Sequence, residues 1–273
     1  MDKNVAFIGA GSMAEAIISG IIYKGLLRSD QITAANKNNR ERLKRLEENY
    51  RIRIMQNKEA EVNAADMIVL STKPYDLKEA IYSVKPYIRP EQIIISVIAG
   101  ISTDEITALM GKDNPVIRAM PNTSASVGFS ATALSAGVYA SEHHLHVAEE
   151  LFTGIGATAI VEEKDMHAVT GISGSGPAYF YYMVEAMEDE AVESGLSKET
   201  ARLLITQTII GAGEMLKQSE EPAADLRRRI MSPAGTTEAG INTLEKNNFQ
   251  QIIRECVRSA KNRSMELGES KND

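Results

Sequence analysis

Val5-Ala6-Phe7-Ile8-Gly9-Ala10-Gly11-Ser12-Met13-Ala14 decides the fold. An apolar, strand-forming run enters a Gly-x-Gly-x-x-Ala pattern, which opens a helical pattern over residues 13–23. Strand, tight turn and helix in that order form the phosphate-binding fingerprint of dinucleotide folds, in its Gly/Ala variant. Gly9 permits the turn out of the strand. Gly11 leaves the backbone bare for a pyrophosphate, and Ala14 lets the helix pack close to the sheet. The helix N-terminus adds unpaired N–H groups and a partial positive charge. Gly9, Ala10, Gly11, Ser12 and Met13 are therefore the first cofactor-binding candidates.

Outward from this unit, short apolar runs recur at 31–35, 66–70, 93–97, 116–120 and 157–161, with one more strand expected at 128–134. Helical patterns at 39–48, 75–84 and 103–110 lie between several of them, the last behind the capping box Ser102-Thr103-Asp104-Glu105. Such alternation predicts a parallel sheet with helices on both faces. Beyond 161 the strand signal stops. Helices are expected at 175–195, 198–216, 223–231, 238–244 and 249–267, and the segments 178–187 and 203–215 are apolar on more than one side. A helix apolar all round must be covered. The expected architecture is thus an α/β Rossmann domain, residues 1–162, followed by an all-α dimerisation domain, residues 163–273, that also serves the substrate. A compact monomeric bundle is the alternative. The polar end, 269–273, is expected to fray.

The 273 residues suit two domains, and 43% are hydrophobic. A net charge of −7 argues against a nucleic-acid partner. Cys256 is the single cysteine, so no intrachain disulfide forms and a reducing compartment is expected. The N-terminus lacks the apolar core of a signal peptide, and no run approaches the ~20 apolar residues that span a bilayer. These readings predict a cytoplasmic protein without a membrane partner. His143, His144 and His146 stand before a helix and read as its solvated start rather than as a metal site; no metal is expected.

The end of the second strand bears on the cofactor. An NAD-specific site usually has a carboxylate there for the ribose 2′-hydroxyl. Here the residues are Ala34-Ala35-Asn36-Lys37-Asn38-Asn39-Arg40, and the first acid is Glu41. Asn36, Lys37 and Arg40 suit a 2′-phosphate, so NADP(H) is expected over NAD(H), with NAD(H) left open. Ser71 and Lys73, in Ser71-Thr72-Lys73-Pro74, lie at the predicted carboxyl edge of the sheet, where ribose and nicotinamide belong.

From Asp165 to Ser197 there is no Lys or Arg. An anionic substrate must then be held by backbone N–H groups or by a cation from elsewhere. Ser173-Gly174-Ser175-Gly176-Pro177 offers an open helix N-terminus with proline in the first turn. Gly235-Thr236-Thr237 offers a second, with a threonine hydroxyl at hand. Ordinary capped helix connections are the alternative for both.

The whole chain resembles the pyrroline-5-carboxylate reductases. The resemblance rests on Phe7-Ile8-Gly9-Ala10-Gly11-Ser12-Met13-Ala14, Lys73-Pro74, Arg118-Ala119-Met120-Pro121-Asn122-Thr123, the stretch from Val169-Thr170-Gly171 through Ser173-Gly174-Ser175-Gly176-Pro177-Ala178-Tyr179, and Ser232-Pro233-Ala234-Gly235-Thr236-Thr237. It implies a Rossmann domain with a helical dimerisation domain, and a homodimer assembled further into a decameric ring. It implies hydride transfer from NAD(P)H to the C=N carbon of 1-pyrroline-5-carboxylate, giving L-proline. By resemblance Thr237 is catalytic and hydrogen-bonds the imine nitrogen. Backbone amides around Gly235, Thr236 and Thr237 hold the carboxylate, Glu220 contacts substrate through water or the partner subunit, and Ser175 and Pro177 complete the substrate site. The chain departs from the family at Ala234, where glycine is usual, at Met231, where a small residue is usual, and at Ser124, where proline is common. Two other readings stay open. One is a non-catalytic or altered-role NADP-binding paralogue. The other is a β-hydroxyacid dehydrogenase, against which stands the lack of any lysine between Lys164 and Lys198.

Overall fold

The computed structural model describes residues 1–269. Its first part alternates β1 (Val5–Ile8), α1 (Ser12–Tyr23), β2 (Ile32–Ala35), α2 (Arg40–Tyr50), β3 (Arg53–Ile54), α3 (Lys58–Ala64), β4 (Met67–Leu70), α4 (Leu77–Val84), β5 (Ile93–Ser96), α5 (Thr103–Met110), β6 (Val116–Met120), β7 (Ser130–Ala136), α6 (Glu142–Phe152) and β8 (Gly156–Ile160). The sheet order is β3-β2-β1-β4-β5-β6-β7-β8. Strands β1 to β6 are mutually parallel in the doubly wound order. The central strands are buried on both faces. In β1, Val5 and Phe7 enter one apolar cluster with Ile17, Leu46 and Phe152, while Ala6 and Ile8 enter the other with Ile81, Ile94 and Ile106. This is why β1, β4 and β5 read as unbroken apolar runs rather than as alternating ones.

The expected all-parallel sheet fails at one place. β7 runs antiparallel to β6, with Ile117 opposite Ala136 and Met120 opposite Ala133. A parallel return needs a crossover of a dozen or more residues. The chain between Met120 and Ser130 holds only a 3₁₀ segment, Thr123–Val127, so the strand must come straight back. β8 then pairs parallel with β7 after the α6 crossover. Only the first half of the expected capping box forms at α5, the Ser102 hydroxyl accepting from Glu105 N–H at 3.1 Å, and Gly111 closes the helix with φ 55°.

The later helices are α7 (Met166–Val169), a π turn (Thr170–Gly174), α8 (Gly176–Glu193), α9 (Lys198–Gln218), α10 (Ala223–Arg229), α11 (Thr236–Lys246) and α12 (Phe249–Glu269). Residues 270–273, to which the expectation of fraying applied, lie outside the described residues. By packing the chain forms two compact units: Met1–Pro177 together with the stretch from Arg258, and Ala178–Val257. In the first unit the end of α12 is anchored by a hydrogen bond between Ser264 Oγ, itself buried, and His167 Nδ1 at 3.0 Å. In the second unit only Ala201 and Ile205 are buried. Phe180, Tyr181, Leu203, Leu204, Ile210 and Met215 are all more than half exposed. Apolar helices with so small an interior do not hold together in water unless another surface covers them.

Candidate functional site

The fingerprint loop is built by three strand ends. Gly9 N–H donates to the Ala35 carbonyl at 3.0 Å, Ser71 N–H to the Ile8 carbonyl at 2.9 Å, and the Ser71 hydroxyl to the Gly9 carbonyl at 2.9 Å. Gly9 has φ 112°, and a Cβ there would stand 2.5 Å from the Ser71 carbonyl oxygen. Glycine is required at this position by conformation and by space. Gly11 differs. It is the extended residue ahead of α1, no side chain caps that helix, and a Cβ would meet nothing within 4 Å. The first-turn amides of α1 are therefore left without intrahelical partners. Arg42, on α2, braces the loop: Nε donates to the Ala10 carbonyl at 3.1 Å and Nη2 to Glu15 Oε2 at 2.5 Å. Sequence reasoning missed Arg42, because nothing local distinguishes it from the other charges of α2.

In front of the loop lies a cavity of about 880 Å³ at the carboxyl edge of the sheet. Gly9, Ala10, Gly11, Ser12, Met13, Asn36, Lys37, Ser71 and Lys73 all line it. Arg40 does not; it is exposed at the first turn of α2. Gln56, Lys58, Thr72 and Glu79 line the cavity as well and were not foreseen. The Thr72 hydroxyl is buried there and has no hydrogen-bond partner among the described residues. Open space before Gly11, uncapped amides on α1 and an unpaired hydroxyl in the wall together fit a dinucleotide. Lys37 is ion-paired with Glu79, and that hydrogen bond holds its ammonium above the ordinary lysine pKa, with Asp76 adding to the effect. A carboxylate thus stands beside Lys37 in the cavity wall, supplied by α4 rather than by the end of β2.

Ser175 and Pro177 share one turn. The Ser175 N–H donates to the Thr170 carbonyl at 2.8 Å, an i→i+5 bond that makes this segment a π turn. π turns recur at functional sites. Gly235, Thr236 and Thr237 share another turn, at the start of α11. Gly235 N–H is engaged by the Ser232 carbonyl at 2.9 Å, and Ala234 N–H by Glu238 Oε2 at 2.7 Å. No side chain caps α11 from Gly235, so the first-turn amides from Thr236 onward are the open donors. Thr237 is half-buried. Ala234 has φ 55°, the left-handed region in which glycine is at ease. Glu220 is exposed in the connection between α9 and α10. The histidine cluster caps a helix: Ser141 N–H donates to His144 Nδ1 at 3.0 Å at the start of α6. Among the described residues no three His, Cys, Asp or Glu side chains gather as for a metal, and no helix is long and apolar enough to cross a membrane.

Residues 163–267 match the family model described as pyrroline-5-carboxylate reductase dimerisation. Residues 4–100 match the one described as NADP oxidoreductase, coenzyme F420-dependent. Pyrroline-5-carboxylate reductase 2 of Bacillus subtilis is 44% identical over 98% of this chain and 96% of its own. The solved pyrroline-5-carboxylate reductase of Coxiella burnetii superposes with a TM-score of 0.91 at 33% identity, covering 98% of this chain and 100% of that one. The Plasmodium falciparum pyrroline carboxylate reductase, solved with NADP bound, gives 0.88 at 29% identity, covering 98% and 99%.

Proposed function

The chain belongs to the pyrroline-5-carboxylate reductase family and reduces 1-pyrroline-5-carboxylate to L-proline with a nicotinamide cofactor, and we propose that it prefers NADP(H) and that Thr237 is its catalytic hydroxyl. The observation that carries the cofactor reading is the ammonium of Lys37 beside Asn36 in the wall of the cavity, with Lys58 as a second cation. A 2′-phosphate is dianionic over most of the neutral range and gains from such cations. NADP on the Plasmodium relative supports the same reading.

Bound in the cavity, the reduced nicotinamide supplies the hydride for the C=N carbon. Gly9, Ala10, Gly11, Ser12 and Met13 would hold the pyrophosphate by backbone amides, while Asn36 and Lys37 would face the adenosine ribose; Arg40 stands outside the cavity wall. Ser71 and Lys73 line its nicotinamide side. In the second unit the first-turn amides of α11, from Gly235 to Thr237, hold the substrate carboxylate, and Glu220 contacts substrate through water or the partner subunit; in the first unit Ser175 and Pro177 are the residues assigned to substrate. The Thr237 hydroxyl hydrogen-bonds the imine nitrogen, which ends the reaction carrying the added proton. An iminium is already electrophilic, so the residues chiefly orient: donor and acceptor carbons must approach to roughly 3–3.5 Å in a dry site.

The chain oligomerises through its dimerisation domain. A homodimer, closed further into a decameric ring, is the assembly we favour. Its support is the bare apolar surface of α8 and α9. The functional division at 162/163 and a cytoplasmic location complete the reading.

The experiment is oxidation of NADPH and of NADH with 1-pyrroline-5-carboxylate by purified protein, followed by nicotinamide absorbance. Faster turnover with NADPH is expected. Thr237→Val is expected to lower kcat by about tenfold through a lost transition-state hydrogen bond, with cofactor affinity unchanged. Wild-type kinetics in that variant would remove Thr237 from the mechanism.

A further inference from the structure

Just past the π turn, Pro177 stands in the first turn of α8 and withholds a donor from the carbonyl four positions before it. In an α-helical register the Ser173 carbonyl accepts from the residue four positions on, which is Pro177, and proline has no N–H. The orphaned carbonyl is satisfied from the sheet: Asn122 Nδ2 donates to it at 3.0 Å. Asn122 follows β6, and every other polar group it has is fixed. Its Oδ1 accepts from Ser124 N–H at 3.0 Å, which sets the amide so that Nδ2 must be the donor. Its own N–H donates to the Ser130 hydroxyl at 3.1 Å, and that hydroxyl pairs with Thr132 Oγ1 at 3.0 Å. Asn122, Ser130 and Thr132 are all buried. A buried and fully satisfied polar chain of this kind rigidifies what it touches. It runs from β7 through the end of β6 into the π turn, and Met120 packs its terminal methyl against Gly174. Residues 97–99, which follow the neighbouring strand β5, line the cofactor cavity at the same sheet edge.

We propose that Asn122 is a positioning residue for the reduction: its amide replaces the N–H that Pro177 lacks and fixes the turn carrying Ser175 and Pro177 at the carboxyl edge of the sheet. This rests on the reading of Ser175 and Pro177 as substrate contacts. Asn122 touches no reacting atom in this account. It acts by holding one conformation of residues 170–177.

The test uses full-length Asn122→Asp, which keeps an acceptor for Ser124 N–H but loses the donor, with Asn122→Ala as the harsher change. The expected result for Asn122→Asp is a loss of about tenfold in kcat/KM for 1-pyrroline-5-carboxylate, mostly in KM. Its NADPH Kd stays within about twofold, and backbone amides of 170–176 exchange faster with deuterium. General destabilisation would move the NADPH Kd too. The logic of the missing donor is read in a Pro177→Ala background, which restores an N–H. There Asn122→Asp is expected to cost less than about threefold. Unchanged exchange of the turn, unaltered kcat/KM, or the same loss in both backgrounds overturns the proposal. The substrate reading fails separately, if Ser175→Ala and Pro177→Ala leave the KM for 1-pyrroline-5-carboxylate unmoved while Asn122→Asp still loosens the turn.

Discussion

Arg118 and Glu163 form an ion pair, Nη1 to Oε1, at 2.6 Å, with the arginine side chain only 2% exposed. Arg118 lies within β6, and Glu163 begins the 3₁₀ turn that follows β8 and leads into α7. Nε and Nη2 of the arginine and Oε2 of the glutamate are buried without partners among the described residues. Such a pair contributes less to stability than its proximity suggests, because both ions lost their water. Losing one partner is another matter. Glu163→Gln is expected to destabilise the fold toward the lower end of roughly 3–5 kcal/mol, since the glutamate keeps some access to solvent. Arg118→Met together with Glu163→Leu should restore most of that loss. Urea unfolding of the single and double variants checks both statements, and a wild-type midpoint for Glu163→Gln would show the pair to be idle.

Gly9 and Gly11 should separate folding from binding. Gly9→Ala puts a methyl into the Ser71 backbone at positive φ, so the strand ends must move; a loss of about 1–3 kcal/mol in stability is expected along with cofactor binding. Gly11→Ala meets no protein atom. Its methyl occupies the approach of the pyrophosphate, so the melting temperature should hold while NADPH affinity falls by about tenfold or more. Thermal unfolding beside a cofactor titration reads the two effects apart. Equal affinity in Gly11→Ala would mean that the phosphates lie elsewhere.

Lys37 and Glu79 should tune cofactor choice in opposite directions. Glu79 holds the Lys37 ammonium, so it would compete with a 2′-phosphate placed there and add repulsion of its own. Glu79→Gln is expected to tighten NADPH severalfold while leaving NADH nearly unchanged. Lys37→Ala should weaken NADPH by about tenfold and NADH by less than twofold. Titrations at low and high salt check this, because the NADPH effect must shrink as salt screens the charges.

Ala234 adopts a conformation that an L-residue pays for with roughly 1 kcal/mol. Ala234→Gly relieves it but gives the unfolded chain more freedom, so a net gain of at most about 1 kcal/mol is expected. The KM for 1-pyrroline-5-carboxylate tests whether the methyl also crowds substrate: a KM lower than wild type shows crowding, an equal one shows that the methyl matters only to the backbone.

Much of this was legible in the residues. Unbroken apolar runs announced β1, β4 and β5, because buried parallel strands need no polar face. Ser102 marked the start of α5 with local chemistry alone. β3 was missed, since Arg53 and Ile54 are two residues with no pattern to show, held by pairing to β2. The reversal of β7 was missed because strand periodicity carries no direction; the short return after Met120 decides it. At the site, Gly9 and Gly11 were read correctly as special, but their difference depends on Ser71, 62 residues away along the chain. Glu79 and Arg42 escaped notice for the same reason, being ordinary helix charges until the fold sets them beside Lys37 and Ala10. Ala234 was visible as a departure, while its cause, a backbone angle, was not.

The i→i+5 turn at Thr170–Gly174 holds one residue more than the regular helix on either side of it. Each helical residue advances the chain by about 100° around the axis. Deleting a single residue there would let the backbone relax into a plain α-helix, and every side chain of α8 would then swing by about that angle relative to α7. The altered helix would be the more regular one locally and would still aim the wrong residues at everything they meet. Insertions and deletions in this segment are thus a harsher kind of change than substitutions. Between Asn122 and Pro177 the number of residues carries information of its own, as a phase.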